Sequence, residues 1–230
     1  MTMGYNLVPN YEQSFRLNNE NSVESVFEIQ CEIVQAIAGS ANSQYSQVQG
    51  VRGTVGGWGF NVPTAALAAA FETGDPRRDA TIIFRGETTP QGDAIPATGD
   101  NPMYNQKSYV PFSLIISGFN EGAQQNVRVL RFADILLMNA EAANEQNNPT
   151  LALASLNRVR ARARGGASGI LPDVTITDKA LLRQAIWKER QVELFTEHGH
   201  RFFDLVRTKR AEGTIPGFKA NKNELFPLPI

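Results

Sequence analysis

Between Val127 and Glu145 the apolar residues Leu130, Ala133, Leu137, Ala140 and Ala143 recur every three or four positions, a spacing that lines one face of an α-helix. Asn147, Asn148 and Pro149 end it, because the residue before a proline is pushed out of the helical region. A second helix is predicted over Thr150 to Arg164, where Leu153, Leu156 and Val159 fall at three-residue intervals and Gly165 and Gly166 supply the stop. After a loop holding Leu171, Pro172 and Asp173, Thr177 is placed to cap a third helix that runs to about His198. Gly199 breaks it, and a fourth helix follows from His200 to about Lys209. The pattern predicts two antiparallel helical hairpins with small alanines at close-contact positions. It suggests an α-solenoid of tetratricopeptide-like hairpins, although that repeat's full consensus is absent.

The texture before residue 124 is different. Gly, Pro, Asn, Ser and Gln dominate, and the short apolar runs Val26 to Ile29, Thr81 to Phe84 and Phe112 to Ile116 predict a few brief strands among loops. Only Ala65 to Phe71 reads as helical there, with Thr64 as its N-cap. The expected organisation is one mainly α domain over 1–230: a loop-rich part (1–123), two hairpins (124–210) and an extended tail (211–230).

Composition narrows the partners. With 230 residues and 42% hydrophobic content the chain has enough apolar material for a sizeable core. A net charge of −1 leaves no overall field to attract nucleic acid or anionic lipid. Arg158, Arg160, Arg162 and Arg164 fall on more than one helical face with no interleaved aromatics, which favours a solvated or ion-paired surface over a nucleic-acid site. Cys31 is the only cysteine, so no intrachain disulfide forms, and a buried thiol is its expected state. No apolar run reaches the roughly 18 residues of a membrane span, and Met1 to Tyr5 lacks the features of an export signal.

The charged positions hold the candidate chemistry. Glu189, Glu193 and Glu197 form one row along a predicted helix, and paired carboxylates suggest a glycosidase. Such pairs must flank a sugar from opposing elements, which neighbours on one helix cannot do. Pairing with Arg158, Arg160, Arg162 or Arg201 inside a helical stack is the expectation, and no catalytic residue is proposed. His198 and His200 lack the spacing of a helix-borne zinc site, and Asp93 and Asp100 lack that of a calcium loop, so no metal or other cofactor is expected. Asp75, Arg77, Arg78 and Asp79 surround Pro76 in a charged turn that is expected to order its own loop.

Several ordered motifs together resemble the SusD/RagB family of outer-membrane nutrient-binding lipoproteins, in its C-terminal region. They are Gly57 to Thr64, Phe71 to Thr81, Val129 to Ala142, Ala152 to Ala163, Glu189 to Leu194, His198 to Leu205 and the closing Leu225 to Pro229. The resemblance implies a non-catalytic protein on the surface of Bacteroidetes-type cells. Such a protein binds glycans or other oligomers and acts as a lid on a TonB-dependent outer-membrane transporter. The family's export signal, lipid-anchored cysteine and N-terminal helical repeats are missing from the sequence as given, so the chain is expected to be part of a longer protein, and anchoring belongs to that parent. A helical-repeat scaffold for protein contacts, without a glycan site, is the alternative.

Sugar rings stack their C–H faces on flat aromatic side chains and need amides or charged groups around their hydroxyls. Trp58 between glycines, with Asn61 nearby, is a candidate platform; its other reading is a wedge that packs the loop. Tyr45, Tyr104 and Tyr109 lie in polar stretches and are further candidates, against the reading of ordinary tyrosines packed on one face. Trp187, between Ile186 and Lys188 on a helix, is expected in the core.

Overall fold

The computed structural model describes residues 4–32, 44–54, 57–115 and 123–225. The expectations that fall on residues 1–3, 41–43, 56, 116 and 226–229 lie outside those residues. The described part is mainly helical, with two short two-stranded sheets.

In the loop-rich part, 3-10 turns at Tyr11–Phe15 and Leu17–Asn19 precede strand β1 (Ser25–Ile29). Three short helices follow: α1 (Tyr45–Gln49), α2 (Ala65–Ala68) and α3 (Arg77–Thr81). The hydroxyl of Thr64 accepts from the Leu67 amide and caps α2 as its sequence position predicts. Strands β2 (Ile82–Phe84) and β3 (Met103–Asn105) pair antiparallel. Their side chains alternate between two clusters: Ile83 and Tyr104 join Val51, Ile95 and Tyr109, while Ile82 and Met103 join Leu67, Phe71 and Val192. Phe112–Leu114, predicted extended, is a 3-10 turn after Pro111.

The second half opens with a correction. Val127–Arg131 is not the first turn of a helix but strand β4, antiparallel to β1. Val127 and Val129 are β-branched and favour the pleated conformation, and a strand partner about a hundred residues upstream decides the matter. Helix α4 (Phe132–Glu145) then buries Ala133, Leu136, Leu137, Ala140 and Ala143 along one stripe. Helix α5 (Pro149–Arg164) starts where Asn148 caps the Leu151 amide and Pro149 takes the first turn, and it ends on Gly165 at φ 56°.

Helix α6 (Lys179–Glu193) is capped by Asp178 rather than Thr177, since the Asp178 carboxylate accepts from the amides of Ala180 and Leu181. It ends at Glu193, five residues before the sequence-predicted stop. Thr196, at φ 63°, turns the chain so that its hydroxyl donates to Asn105. Helices α7 (His200–Arg207) and α8 (Ala211–Thr214) complete the second half. Helix α4 packs against both α5 and α6 around Leu137, Leu156, Val159, Leu182 and Ile186, with Ala140, Ala143 and Ala152 allowing close approach. Cys31 is only half-buried, its backbone amide tied to Asn126, which corrects the expectation of a buried thiol.

Candidate functional site

The carboxylate row of α6 folds inward and is fully used. Glu189 accepts from Arg77 (2.5 Å) and Arg160 (2.9 Å), and Glu193 accepts from Arg162 (2.5 Å), Arg77 (3.1 Å) and Arg131 (3.1 Å). Glu197, just beyond the helix, holds Lys107 at 2.7 Å and Arg131 at 2.8 Å. Glu24 closes the chain by accepting from both Arg131 (2.5 Å) and Arg162 (2.6 Å). These side chains are buried.

Arg160 and Arg162 are the sequence-predicted partners. Arg158 and Arg201 are not: Arg158 is exposed and donates to Asn6, and Arg201 lies on α7 without an ion pair among the described residues. Of the missed partners, Arg77 and Lys107 lie in the loop-rich part and Arg131 lies within the segment predicted as the first helix of the second half. Arg77 corrects a second reading, because it grips Asp75 but also reaches α6 instead of ordering only its own loop.

Electrostatics favour the charged forms of Glu193 and Glu197. Burial pushes the Glu193 and Glu197 carboxyls up, but the surrounding cations outweigh it and hold both below the usual carboxylate range. Arg162, Arg131 and Arg77 do this for Glu193, and Arg131 and Lys107 for Glu197. Burial draws the Lys107 ammonium down to about 8 against the pull of Glu197, so it stays mostly charged at neutral pH. With every carboxylate of the row locked to cations, none flanks an open cleft as a hydrolytic pair requires.

The exposed candidate lies elsewhere. Trp58 is 42% exposed and Phe60 53%, both on the loop that follows α1. The loop is fixed from Trp58 to Phe60: the amides of Trp58, Gly59 and Phe60 donate to the carbonyls of Gln47, Gly50 and Val48, each at 2.9 Å. Asn101 ties the Gly59 carbonyl at 3.0 Å, and the Arg52 guanidinium sits 5.6 Å from the Phe60 ring centre. A side chain at Gly57 would lie 2.0 Å from the Val51 carbonyl oxygen, so only glycine permits this approach. Asn61, at φ 49°, turns its amide inward, donating to Gln49 (2.5 Å) and the Thr196 carbonyl (3.3 Å). Beside it opens a cavity of ≈ 280 Å³, lined also by Phe195, Thr196, His200, Arg201 and Phe202.

The tyrosines do not join this surface. Tyr104 and Tyr109 are only 3% and 5% exposed, which corrects their placement as loop platforms. Both rings pack with Ile83 and Val51, and the Tyr109 hydroxyl donates to Asp93 and lies 2.9 Å from the Thr89 hydroxyl. Tyr45, on α1, is half-buried, with its ring centre 5.7 Å from that of His198. Burial, with the nearby Glu197 charge, pushes its hydroxyl up. Trp187 is half-buried, not a core residue. Its ring carries the Arg210 guanidinium at 3.9 Å and its N–H donates to Glu141 at 3.1 Å.

Asp93 is also bonded by the Phe112 amide, and His198 by the Arg128 carbonyl. No cluster of His, Cys, Asp and Glu suited to a metal ion occurs among the described residues. Phe60, Phe202 and Phe203 are exposed aromatics that sequence reasoning did not single out. Phe60 shared a glycine-flanked motif with Trp58, which was the available signal.

Comparison with known proteins gives this geometry a context. Residues 23–225 match the model of the SusD family. SusD-like protein P2 of Formosa agariphila is 28% identical over 249 residues, an alignment covering 97% of this chain and 48% of that protein. Among solved structures, a laminarin binding SusD-like protein superposes with a TM-score of 0.77 at 30% identity, covering 97% of this chain and 50% of its own. The surface glycan-binding protein A from Bacteroides uniformis gives 0.63 at 28%, covering 95% and 44%. The chain therefore spans about half the length of these relatives. With most of its length matched, this chain belongs to the SusD family.

Proposed function

We propose that this chain is part of a cell-surface, non-catalytic glycan-binding component of an outer-membrane uptake complex. The family match and the 30% identity to a laminarin binding protein of the same fold carry that reading. Trp58, presented on a backbone-clamped loop with Phe60, is its candidate platform, with Asn61 and Tyr45 holding the surroundings in place. Tyr104 and Tyr109 support the platform from beneath through the cluster around Val51 and Ile83. The whole of 1–230 acts as one domain, and its hairpins continue a tetratricopeptide-like stack in the parent protein. A TonB-dependent transporter is the protein partner, and the outer membrane is the location. Among the described residues no helix is long and apolar enough to cross a membrane.

A scaffold without a glycan site is the second reading, favoured by exposed Phe202 and Phe203, the latter 62% exposed. One experiment separates them. In a Trp187→Phe variant, Trp58 is the sole tryptophan, and its emission is followed against laminarin, starch, xylan and fructan, with affinity electrophoresis of the parent protein alongside. Glycan binding predicts saturable quenching with at least one polymer, and retardation that Trp58→Ala weakens by about tenfold. Unchanged emission and mobility with all four would leave the scaffold reading.

A further inference from the structure

The outer side of α6 faces α7 and the residue before α8 across a groove of ≈ 470 Å³, within the range of sites that hold small ligands. Gln184, Trp187, Lys188 and Gln191 line it from α6, and Arg201 and Arg210 from the opposite side. Three of the six are cations and none is acidic. Lys188 and Arg201 make no ion pair among the described residues.

Arg210 is held in a fixed pose. Its guanidinium lies 3.9 Å from the Trp187 ring centre and its Nε donates to the Thr208 hydroxyl at 2.9 Å. The Trp187 N–H is anchored on Glu141, whose carboxylate is occupied by both terminal nitrogens of Arg207 at 2.7 Å. The two carboxylates that act on Arg210 are thus both spent, Glu141 on Arg207 and Asp204 on Arg190 and Arg207. What remains is a buried nitrogen of Arg210, Nη2, with no hydrogen-bond partner. Leaving such a donor unmet carries its full desolvation penalty, so a buried orphan calls for an acceptor. Burial and the positive charge of Arg201 both draw the Arg210 guanidinium down, a cost that an anion between the two would relieve.

We propose that this groove is a subsite for a negatively charged sugar residue, whose carboxylate or sulfate group is held between Arg201 and Arg210. Guanidinium groups suit planar carboxylates and sulfate oxygens because their N–H donors lie in a fixed fork. Gln184 and Gln191 present amides to ring hydroxyls, and Lys188 adds charge at the mouth. The inference rests on the glycan-binding reading and adds to it a class of ligand, an acidic oligosaccharide, in a groove whose Arg201 also borders the cavity beside Asn61.

The test uses a Trp58→Phe variant, in which Trp187 is the only tryptophan. Its emission is titrated with trigalacturonate, with a carrageenan tetrasaccharide bearing only sulfate esters, with neutral laminaritriose and with inorganic sulfate. At least one anionic oligosaccharide should bind about tenfold more tightly than laminaritriose. That binding should weaken as salt rises, and Arg201→Gln should reduce it by a further factor of about ten. The melting temperature of Arg201→Gln checks that folding is intact, and Arg210→Lys, which keeps the charge but loses the fork, should also weaken binding.

A response to laminaritriose as strong as to the acidic sugars overturns the inference. So does a response reproduced by inorganic sulfate alone, an adventitious ion only, or no response at all. If Trp58 in the companion variant still reports a neutral glycan, the loss falls on the groove alone and the glycan-binding reading stands.

Discussion

Replacing Arg131 with methionine removes the cation at the centre of the buried network while keeping an unbranched side chain of similar reach. The guanidinium is 2% exposed and donates to Glu24, Glu193 and both oxygens of Glu197. After the change Glu24 keeps Arg162, Glu193 keeps Arg77 and Arg162, and Glu197 keeps Lys107, so no carboxylate is wholly abandoned. Three buried carboxylates then share three remaining cations of which Arg77 also serves Glu189 and Asp75. Removing one partner of a buried ionic group costs about 3–5 kcal/mol. Set against a typical stability of roughly 5–15 kcal/mol, that is a large fraction. For a chain of this size it corresponds to a fall in melting temperature of roughly 6–20 °C. Urea denaturation followed by circular dichroism measures it, with Arg158→Met as the exposed control, expected to shift stability by less than about 1 kcal/mol. A loss of under 1 kcal/mol for Arg131→Met, equal to the control, would refute the claim that this network holds the two parts of the chain together.

Two further outcomes follow from the same structure. Glu193 and Glu197 are held below their ordinary value of 4.5, so the folded state releases their protons more readily than the unfolded chain. Their stabilising contribution is complete above that value and fades as the pH falls below it. Thermal melts from pH 6 down to pH 3 should therefore lose stability below about pH 4.5, and Glu197→Gln should flatten that slope; an unchanged slope would contradict the assignment. Gly57→Ala forces a methyl against the Val51 carbonyl, and overpacking of this kind costs about 1–3 kcal/mol. The displaced loop should shift the accessibility of Trp58 to acrylamide quenching, whereas an unaltered quenching constant would mean that the loop is not clamped.

Where short-range chemistry decides, the sequence was readable. Helix α5 shows it: Asn148 and Pro149 set one end, Gly165 the other, and the Leu156 and Val159 spacing its buried face. Thr64 at α2 is similar. Long-range partners were not readable. Val127–Arg131 continues the helical spacing of α4 and becomes a strand only because Ser25–Ile29 lies beside it. Leu194 to Glu197 carries no stop signal, yet α6 ends there so that Thr196 can meet Asn105 and Glu197 can meet Lys107.

The candidate site divides in the same way. Trp58 between glycines was recognisable as a presented side chain. Tyr104 and Tyr109 had polar neighbours but were drawn inside by the pairing of Ile82–Phe84 with Met103–Asn105. The row Glu189, Glu193 and Glu197 was legible as internal pairing, while Arg77 and Lys107 lay far upstream, where helical periodicity gives no information, and Arg131 lay in a segment whose helical spacing hid a strand.

The buried network also bears on how this protein can be cut. Its ionic partners are divided between the two sides of residue 123: Glu24, Asp75, Arg77 and Lys107 lie on one, and Arg131, Arg160, Arg162, Glu189, Glu193 and Glu197 on the other. Fragments produced by severing the chain there would each expose unmatched charges that only the other can satisfy. Such fragments are suited to work as a complementing pair, associating through salt-sensitive encounter rather than standing as independent modules.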